Sequence, residues 1–294
     1  MFKWGTYTHE MLSKAIKKSS VRYIYIDRGW GPPYRKDRQH EIFKVFQYHL
    51  SEVGIAQEMS ILYLIRHGQA SFGTSDYDAL SDGGRYQARV LGTFFLEAGL
   101  RFDACWSGTL RRQRQTLGEV RDTYLKAGLD LPLPTETAAL DEYDYEAIIR
   151  ALVPIIEKED PDFIRDVGRM LADRRAFQEV FGRVMTRWAT GSNTVDDLPS
   201  WSSFAAGVTK GIRDIIDRSD RGSQVAVFTS GGPIAAAVGN VMSLAAEKTV
   251  ALSWKLVNAS ITRFKFSHGR ISLATFNEYG HLEREGDSGL ITYR

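Results

Sequence analysis

Short apolar runs alternate with longer amphipathic runs along the chain from residue 59 onward. Residues 61–65 read ILYLI, an uninterrupted apolar run typical of a strand that is buried on both faces, and residues 102–106 and 224–229 predict two more strands. Amphipathic periodicity predicts helices over the segments 82–98, 110–127 and 201–217. Strands and helices that alternate in this way favour a mostly parallel α/β sheet with helices on its faces.

Three further segments complete the predicted architecture. Residues 134–140 are expected to be extended, and residues 146–190 carry a long amphipathic pattern that predicts a helical insertion, at about residues 146–205, over one end of the sheet. Residues 261–266 and 270–276, joined by Ser267-His268-Gly269, predict a C-terminal β-hairpin. The expected fold is therefore a three-layer α/β sandwich with this insertion and this hairpin.

Composition and charge narrow the class of protein. The chain has 294 residues, of which 43% are hydrophobic and 25% are charged, and this excludes collagen-like, disordered and coiled-coil proteins. A single cysteine, Cys105, excludes an internal disulfide and indicates a reducing compartment, so we expect a cytoplasmic protein. The weakly polar stretch 233–246 is too short to span a membrane, and a net charge of +2 gives little reason to expect a nucleic-acid partner.

The first 58 residues differ from the rest of the chain. They carry ten Lys and Arg against six Asp and Glu, and they contain the breaker cluster Gly29-Trp30-Gly31-Pro32-Pro33. We therefore expect a domain over residues 59–294, preceded by an N-terminal extension at 1–58. That extension can be an appended module, a linker or an upstream extension of the reading frame, and the sequence leaves these alternatives open.

Candidate chemistry begins where the first predicted strand ends, in Arg66-His67-Gly68. The carboxyl ends of parallel strands are where open α/β sheets bind ligands, and the glycine permits close approach of the backbone. An imidazole with its ordinary pKa of about 6.5 is largely neutral at pH 7, so one ring nitrogen can attack phosphorus. The adjacent guanidinium can bind phosphoryl oxygens. His67 is thus a candidate nucleophile and Arg66 a candidate phosphate ligand.

The segments that surround this tripeptide make the prediction specific. Residues 66–71 read RHGQAS, and residues 80–88 read LSDGGRYQA, which fits the pattern L-[ST]-x-x-G-x-x-Q-A. Residues 106–116 read WSGTLRRQRQT, and residues 140–144 read LDEYD. In these blocks, which arrive in order, the chain resembles the histidine phosphatase superfamily, also called phosphoglycerate-mutase-like. The resemblance extends over roughly residues 61–283 and is interrupted by the helical insertion.

The resemblance assigns a role to each residue. Arg112 falls on the family's phosphate-binding arginine, and Glu142 falls on its proton donor. His67 would attack the phosphoryl group, Arg66 and Arg112 would neutralise its oxygens, and Glu142 would protonate the departing alcohol. Because two arginines provide the positive charge, a metal is unnecessary, and we expect neither a metal nor another cofactor. The expected partner is a small phosphorylated substrate, and the oligomeric state is left open.

Two departures from the family pattern bear on catalysis. The family's second catalytic histidine, in a strand-end S-H-G-G segment, is replaced by Ser230, which with Gly231 can still bind a phosphoryl oxygen but carries no charge. The asparagine six residues after the nucleophile is Gly73. The leading interpretation is a metal-independent phosphatase. The alternatives are a catalytically impaired phosphate-binding or regulatory protein of the same fold, and a phosphoglycerate-mutase-type phosphotransferase.

Two other residues are expected to be structural. His281 resembles part of a C-terminal block of the family, N-x-x-x-H-L, and we expect it to pack rather than to reach the site. Cys105 follows an apolar run and is predicted to lie in the core.

Overall fold

A six-stranded mixed sheet forms the centre of the described part of the chain. The computed structural model describes residues 59–71, 78–169, 173–191, 198–267 and 269–293. The strands are β1 (Ser60–Arg66), β2 (Ala104–Ser107), β3 (Thr135–Glu136), β4 (Gln224–Thr229), β5 (Ile261–Ser267) and β6 (Arg270–Glu278), in the spatial order β3-β2-β4-β1-β5-β6. The first four are mutually parallel, whereas β5 and β6 are antiparallel additions that form the predicted hairpin.

Helices cover both faces of this sheet. They are α1 (Asp82–Glu97), α2 (Arg111–Lys126), α3 (Tyr145–Glu159), α4 (Pro161–Arg169), α5 (Arg174–Thr190), α6 (Trp201–Asp217), α7 (Gly231–Met242), α8 (Ala246–Ser253) and the short α9 (Gly280–Glu283). The predicted α/β fold with a mostly parallel sheet is therefore confirmed. Residues 1–58, the predicted extension, lie outside the described residues. None of the described helices is both long and apolar enough to cross a membrane.

The side chains of β1 show how the three layers form. Successive residues of a strand point to opposite faces of a sheet, so Leu62 and Leu64 pack with α3, α5, α6 and α7, while Tyr63 and Ile65 pack with α1 and α2. All four side chains are at most 3% exposed. Two hydrophobic cores, one on each face, therefore explain why residues 61–65 form an uninterrupted apolar run.

The predicted insertion consists of separate helices rather than one long helix. The chain breaks at Asp160, whose side chain accepts a hydrogen bond from Asp162 N at 3.0 Å, and Pro161 then begins α4. Asp144 and Asp173 cap the N-termini of α3 and α5 in the same way. These caps divide the amphipathic pattern into units short enough to fold over the carboxyl end of the sheet.

Two segments differ from the sequence prediction. Residues 134–140 were expected to be extended, but only Thr135 and Glu136 pair with β2, and the chain then turns through a 3-10 helix at Ala138–Leu140. Helix α8, in contrast, has no counterpart among the predicted elements. Its Ala245 N-cap contributes no side-chain hydrogen bond, so the usual sequence signal for a helix start is missing.

Gln87 links the loop after β1 to the C-terminal segment. Its side-chain oxygen accepts a hydrogen bond from Gln69 N at 2.8 Å, and its amide nitrogen donates to Leu290 O at 2.7 Å and to Thr292 Oγ1 at 2.9 Å. Thr292 in turn donates to Asn258 Oδ1 at 3.0 Å. Four segments that are distant in sequence thus meet around one buried glutamine, immediately behind His67.

The backbone crosses itself closely at the same place. A Cβ atom on Gly68 would lie 2.3 Å from Gly84 O, and a Cβ atom on Gly84 would lie 2.1 Å from Gln69 O. Only glycine at both positions allows the start of α1 to pack directly against the residue that follows His67.

We predict that Gly84→Ala lowers the free energy of unfolding by about 1–3 kcal/mol, because backbone atoms must move to accommodate the methyl group. Urea denaturation measures the change. Gly118→Ala is the matched control, since a Cβ atom at Gly118, inside α2, meets no described atom within 4 Å and is expected to add about 0.5–1 kcal/mol of stability. Equal effects of the two substitutions would contradict the prediction.

Candidate active site

His67 lies at the junction of β1 and β4 and is 5% exposed. Its backbone N–H donates to Thr229 O at 2.9 Å, and its carbonyl accepts from Asn258 Nδ2 at 3.1 Å. The ring nitrogen Nδ1 lies 2.7 Å from Gly68 O. A carbonyl can only accept a hydrogen bond, so Nδ1 carries the ring proton and Nε2 keeps an unprotonated lone pair.

Arg112 approaches that unprotonated nitrogen from the start of α2. Its Nε donates to His67 Nε2 at 3.2 Å, and its Nη1 forms an ion pair with Asp78 Oδ1 at 2.6 Å. Burial and then the charges of Arg112 and Arg66 hold the pKa of His67 well below its ordinary value of 6.5. The imidazole is therefore neutral at physiological pH, as a nucleophile must be.

Arg66 is held by two backbone carbonyls from the C-terminal part of the chain. Its Nη1 donates to Leu256 O, and its Nη2 donates to Tyr293 O at 2.9 Å. These contacts fix the plane of the guanidinium beside His67. The two arginines together place two buried positive charges around the imidazole.

Glu142 faces the N-terminus of α7. Both of its carboxyl oxygens lie 3.1 Å from Gly232 N, which donates to them. A Cβ atom on residue 232 would lie 2.0 Å from Glu142 Oε1, so this approach requires glycine. Burial raises the pKa of Glu142 above its ordinary value of 4.5, although the Gly232 amide and both site arginines lower it. The carboxyl group therefore keeps its proton to a higher pH than an exposed glutamate does.

A hydrogen-bond network positions the segment that carries Glu142. Leu140 O accepts hydrogen bonds from Thr229 Oγ1 at 2.6 Å and from Gln113 Nε2 at 3.0 Å. The Asp141 carboxylate accepts from Thr109 N at 2.6 Å and from Thr109 Oγ1 at 2.5 Å. The ends of β2 and β4 and the start of α2 therefore all fix the residues directly before Glu142.

Tyr143 anchors the same segment on its other side. Its ring packs against Trp188, Trp201 and Phe204, with centroid distances of 4.8, 6.5 and 5.4 Å. Burial and the neighbouring Glu142 raise the pKa of its hydroxyl, which stays protonated. The helical insertion thus holds Glu142 in place through an aromatic cluster.

Ser230 occupies a different environment from the residues above. It is fully buried, and its hydroxyl oxygen accepts a hydrogen bond from Gln113 Nε2 at 2.8 Å. Gly231 lines the cavity in front of His67, whereas Ser230 is not among the residues that line it. The phosphate-binding role of Ser230 stays a prediction, since its oxygen accepts a hydrogen bond from Gln113 whereas a phosphate would need its O–H as the donor.

A cavity of about 810 Å³ opens onto these groups. Five of the six predicted site residues line it, namely Arg66, His67, Arg112, Glu142 and Gly231. The rest of the wall is formed by Ala70, Tyr143, Tyr145, Phe177, Gln178, Phe181, Ser253, Trp254, Lys255 and Tyr293. No three His, Cys, Asp or Glu side chains of the described residues come together in a way that could hold a metal ion.

Sequence reasoning missed residues that act through contacts. Asp78 lies between two of the motif blocks, and only the structure reveals its ion pair with Arg112. Gln113, one residue later, occupies the position of an alanine in the family pattern L-x-R-A-x-Q-T, and this difference was the available signal for its contact with Ser230. Ser253, Trp254 and Lys255 gave no signal, since helix α8 itself was not predicted.

The two residues expected to be structural are indeed packed. His281 is 4% exposed and stacks on Phe94 with a centroid distance of 5.3 Å, and burial lowers its pKa to about 4. Cys105 is 2% exposed, and burial raises the pKa of its thiol to about 12. Both predictions are confirmed. Gly73 and His268 lie outside the described residues.

Comparison with known families decides the relationship of this chain. The sequence model of the histidine phosphatase superfamily (branch 1) matches residues 62–279, which is most of the chain. The chain belongs to this superfamily. The match covers all the described residues that line the cavity except Tyr293.

Solved structures agree on the fold. A phosphoglycerate mutase from Bacillus anthracis is 18% identical with a TM-score of 0.55, and the match covers 79% of this chain and 98% of that one. A phosphoserine phosphatase from Entamoeba histolytica, in complex with 3-phosphoglyceric acid, is 18% identical with a TM-score of 0.53, and the match covers 76% of this chain and 100% of that one. A mycobacterial glucosyl-3-phosphoglycerate phosphatase is 20% identical with a TM-score of 0.51, and the match covers 75% of this chain and 100% of that one. At these identities the likeness concerns the fold alone.

We predict that His67 stays neutral, with its proton on Nδ1, when the pH falls to 6.5, the ordinary pKa of a histidine. Long-range ¹H–¹⁵N NMR titration, with the signal assigned by a His67→Gln variant, reports the tautomer and the pKa. In Arg112→Met the pKa is expected to rise, because one nearby positive charge is lost while the apolar bulk is retained. A wild-type His67 that titrates at or above pH 6.5 would contradict this.

Proposed function

We propose that this chain is a phosphatase that hydrolyses a small phosphomonoester through a phosphohistidine intermediate on His67. The observation that supports the proposal best is the state of His67 Nε2. It is unprotonated, it belongs to a neutral imidazole, and it faces the same cavity as two arginines and a carboxyl group whose pKa is raised. A nucleophile, a pair of charge-stabilising groups and an acid are therefore assembled in one place.

In the first step, Nε2 of His67 attacks phosphorus while the bond to the ester oxygen breaks. The negative charge on the phosphoryl oxygens is stabilised by Arg66 and Arg112, which are already fixed by the Leu256 and Tyr293 carbonyls and by Asp78. Glu142 gives its proton to the departing alcohol, which leaves as a neutral molecule. The products of this step are the alcohol, a phosphohistidine and the Glu142 carboxylate.

In the second step, a water molecule attacks the phosphohistidine. The Glu142 carboxylate takes a proton from that water, the oxygen bonds to phosphorus, and the bond from phosphorus to Nε2 breaks. Inorganic phosphate leaves, and both His67 and Glu142 return to their starting protonation states. A single carboxyl group serves as acid and then as base, which its raised pKa favours near neutral pH.

Ser230 takes a supporting part in this proposal. Its hydroxyl oxygen and Leu140 O both bind the amide of Gln113, so Ser230 ties the end of β4 to the segment that carries Glu142. Lys255 lines the same cavity and adds a third positive charge that attracts a phosphate dianion.

A phosphate-binding protein without turnover is the second candidate. It is favoured by Ser230, which stands where the family pattern has a second catalytic histidine, carries no charge and is not among the residues that line the cavity. Such a protein would bind phosphate or vanadate through Arg66 and Arg112 and gain thermal stability, but it would release no phosphate from any ester.

We predict that the wild-type chain releases inorganic phosphate from p-nitrophenyl phosphate in the presence of EDTA and that His67→Ala does not. The reason is that His67 is the only histidine among the described residues that line the cavity. Colorimetric phosphate detection measures turnover. Brief incubation with ³²P-labelled substrate followed by quenching is expected to trap acid-labile, alkali-stable label on the wild-type chain alone. Absence of turnover together with stabilisation by vanadate would select the binding protein instead.

We predict that Glu142→Gln lowers kcat/KM, which reports the first step alone, by about 10² to 10⁴-fold for an alkyl phosphate, whereas kcat/KM for p-nitrophenyl phosphate is affected far less. A poor leaving group needs a proton, but p-nitrophenolate departs as an anion. The wild-type rate on the alkyl ester should fall with rising pH at a value above 4.5, and this basic limb should be absent in the variant. Steady-state kinetics on both esters across pH measure this, and equal losses on the two esters would contradict the role of Glu142 as the acid.

A further inference from the structure

One wall of the active-site cavity is built from aromatic rings. Phe177 and Phe181 of α5 stack nearly parallel, with an interplanar angle of 14° and centroids 5.6 Å apart. Phe181 also contacts Trp254 at 5.3 Å and Tyr145 at 6.4 Å, in both cases edge to face. The wall therefore combines α3, α5 and the residue after α8, and Phe181 is its centre. We refer to these four residues as the aromatic wall.

The aromatic wall lies at the edge of the hydrophobic core, against which Phe181 and Trp254 pack. All four side chains line the cavity and are only partly buried, whereas Tyr143, Trp188 and Trp201 already provide the aromatic cluster that anchors the insertion. Apolar rings that face solvent in a cavity lack about 25 cal/mol of hydrophobic stabilisation for each Å² left exposed. A bound molecule with an apolar face would recover that energy, and the wall adjoins the groups that hold the phosphoryl group.

Carboxylate and amide groups, which accept hydrogen bonds from the hydroxyl groups of a polyol, are scarce among the described residues that line the cavity. Ser253 Oγ is already engaged as a donor to Val250 O at 2.7 Å, and the remaining polar lining is provided by Gln178, Lys255 and the tyrosine hydroxyls. Glu142 is the sole carboxyl group among the described lining residues, and it is committed to Gly232 N. The wall thus offers flat apolar surface in preference to hydrogen bonds.

We propose that the substrate is a phosphomonoester of an alcohol with a flat, aromatic body, whose ring packs on Phe181 and Trp254 while its phosphoryl group lies between Arg66, Arg112 and His67. This inference rests on the proposed phosphatase function. Offset or edge-to-face ring contacts add specificity beyond the area that they bury. A small polar alcohol would leave the aromatic wall uncovered, so the cavity discriminates by the alcohol and not by the phosphate.

The turnover test compares benzyl phosphate with glycerol 1-phosphate, two alkyl esters that differ in the body of the alcohol. We expect wild-type kcat/KM to favour benzyl phosphate by about ten-fold or more, mainly through KM. Phe181→Leu is expected to remove most of this preference, because leucine fills the space but offers no planar face. Phe94→Leu is the matched control, since Phe94 packs on His281 and does not line the cavity.

A binding test separates failure of this inference from failure of the proposed function. Calorimetry of His67→Ala with benzylphosphonate and with methylphosphonate needs no turnover, and benzylphosphonate is expected to bind about ten-fold more tightly. Preference for benzylphosphonate without any turnover in the wild type would support the ligand class and overturn the phosphatase function. Turnover with equal kcat/KM for the two esters would overturn the inference and leave the phosphatase intact, and equal binding of the two phosphonates would overturn it in either case.

Discussion

The parallel pairing of β1 with β4 is the constraint on which the site depends. In that register Arg66 lies opposite Thr229, so both strands end at the same edge, and the backbone N–H of His67 donates to Thr229 O. The imidazole therefore comes next to the turn that starts α7, and the Gly232 amide lies where it can hold the carboxyl group of Glu142. Displacement of this pairing by one residue would turn every side chain of β1 to the opposite face.

The surroundings of the site shift the pKa values of His67 and Glu142 in opposite directions. The same low-dielectric surroundings that lower the pKa of His67 raise the pKa of Glu142, because burial penalises whichever form is charged. The positive charges of Arg66 and Arg112 lower the pKa of His67 further, whereas they only partly offset the rise in the pKa of Glu142. A neutral base and a protonated acid can therefore coexist in one cavity at the same pH, which is the protonation state that nucleophilic attack with acid assistance requires.

The helical insertion has two functions that use different aromatic residues. Trp188, Trp201 and Phe204 pack around Tyr143 and so fix the chain beside Glu142. Phe177 and Phe181, on another part of α5, face the cavity. The groups that would bind phosphate lie at the carboxyl end of the sheet, which the superfamily fold provides. The surface that would contact the alcohol comes from the insertion and from the residue after α8.

The sequence by itself determined the parts of this protein that depend on local pattern. Strand Gln224–Thr229 and helix Trp201–Asp217 were predicted with the bounds observed. The ordered motifs predicted site roles for four residues that the structure brings to one cavity, namely His67, Arg66, Arg112 and Glu142. Only the tertiary structure decided that Asp78 binds Arg112, that Gln113 engages Ser230, and that Trp254 joins Phe181 at the cavity wall. Hydrophobic periodicity and motif spacing act over a few residues, while these contacts join side chains tens to more than a hundred positions apart, and their geometry exists only when the chain is packed.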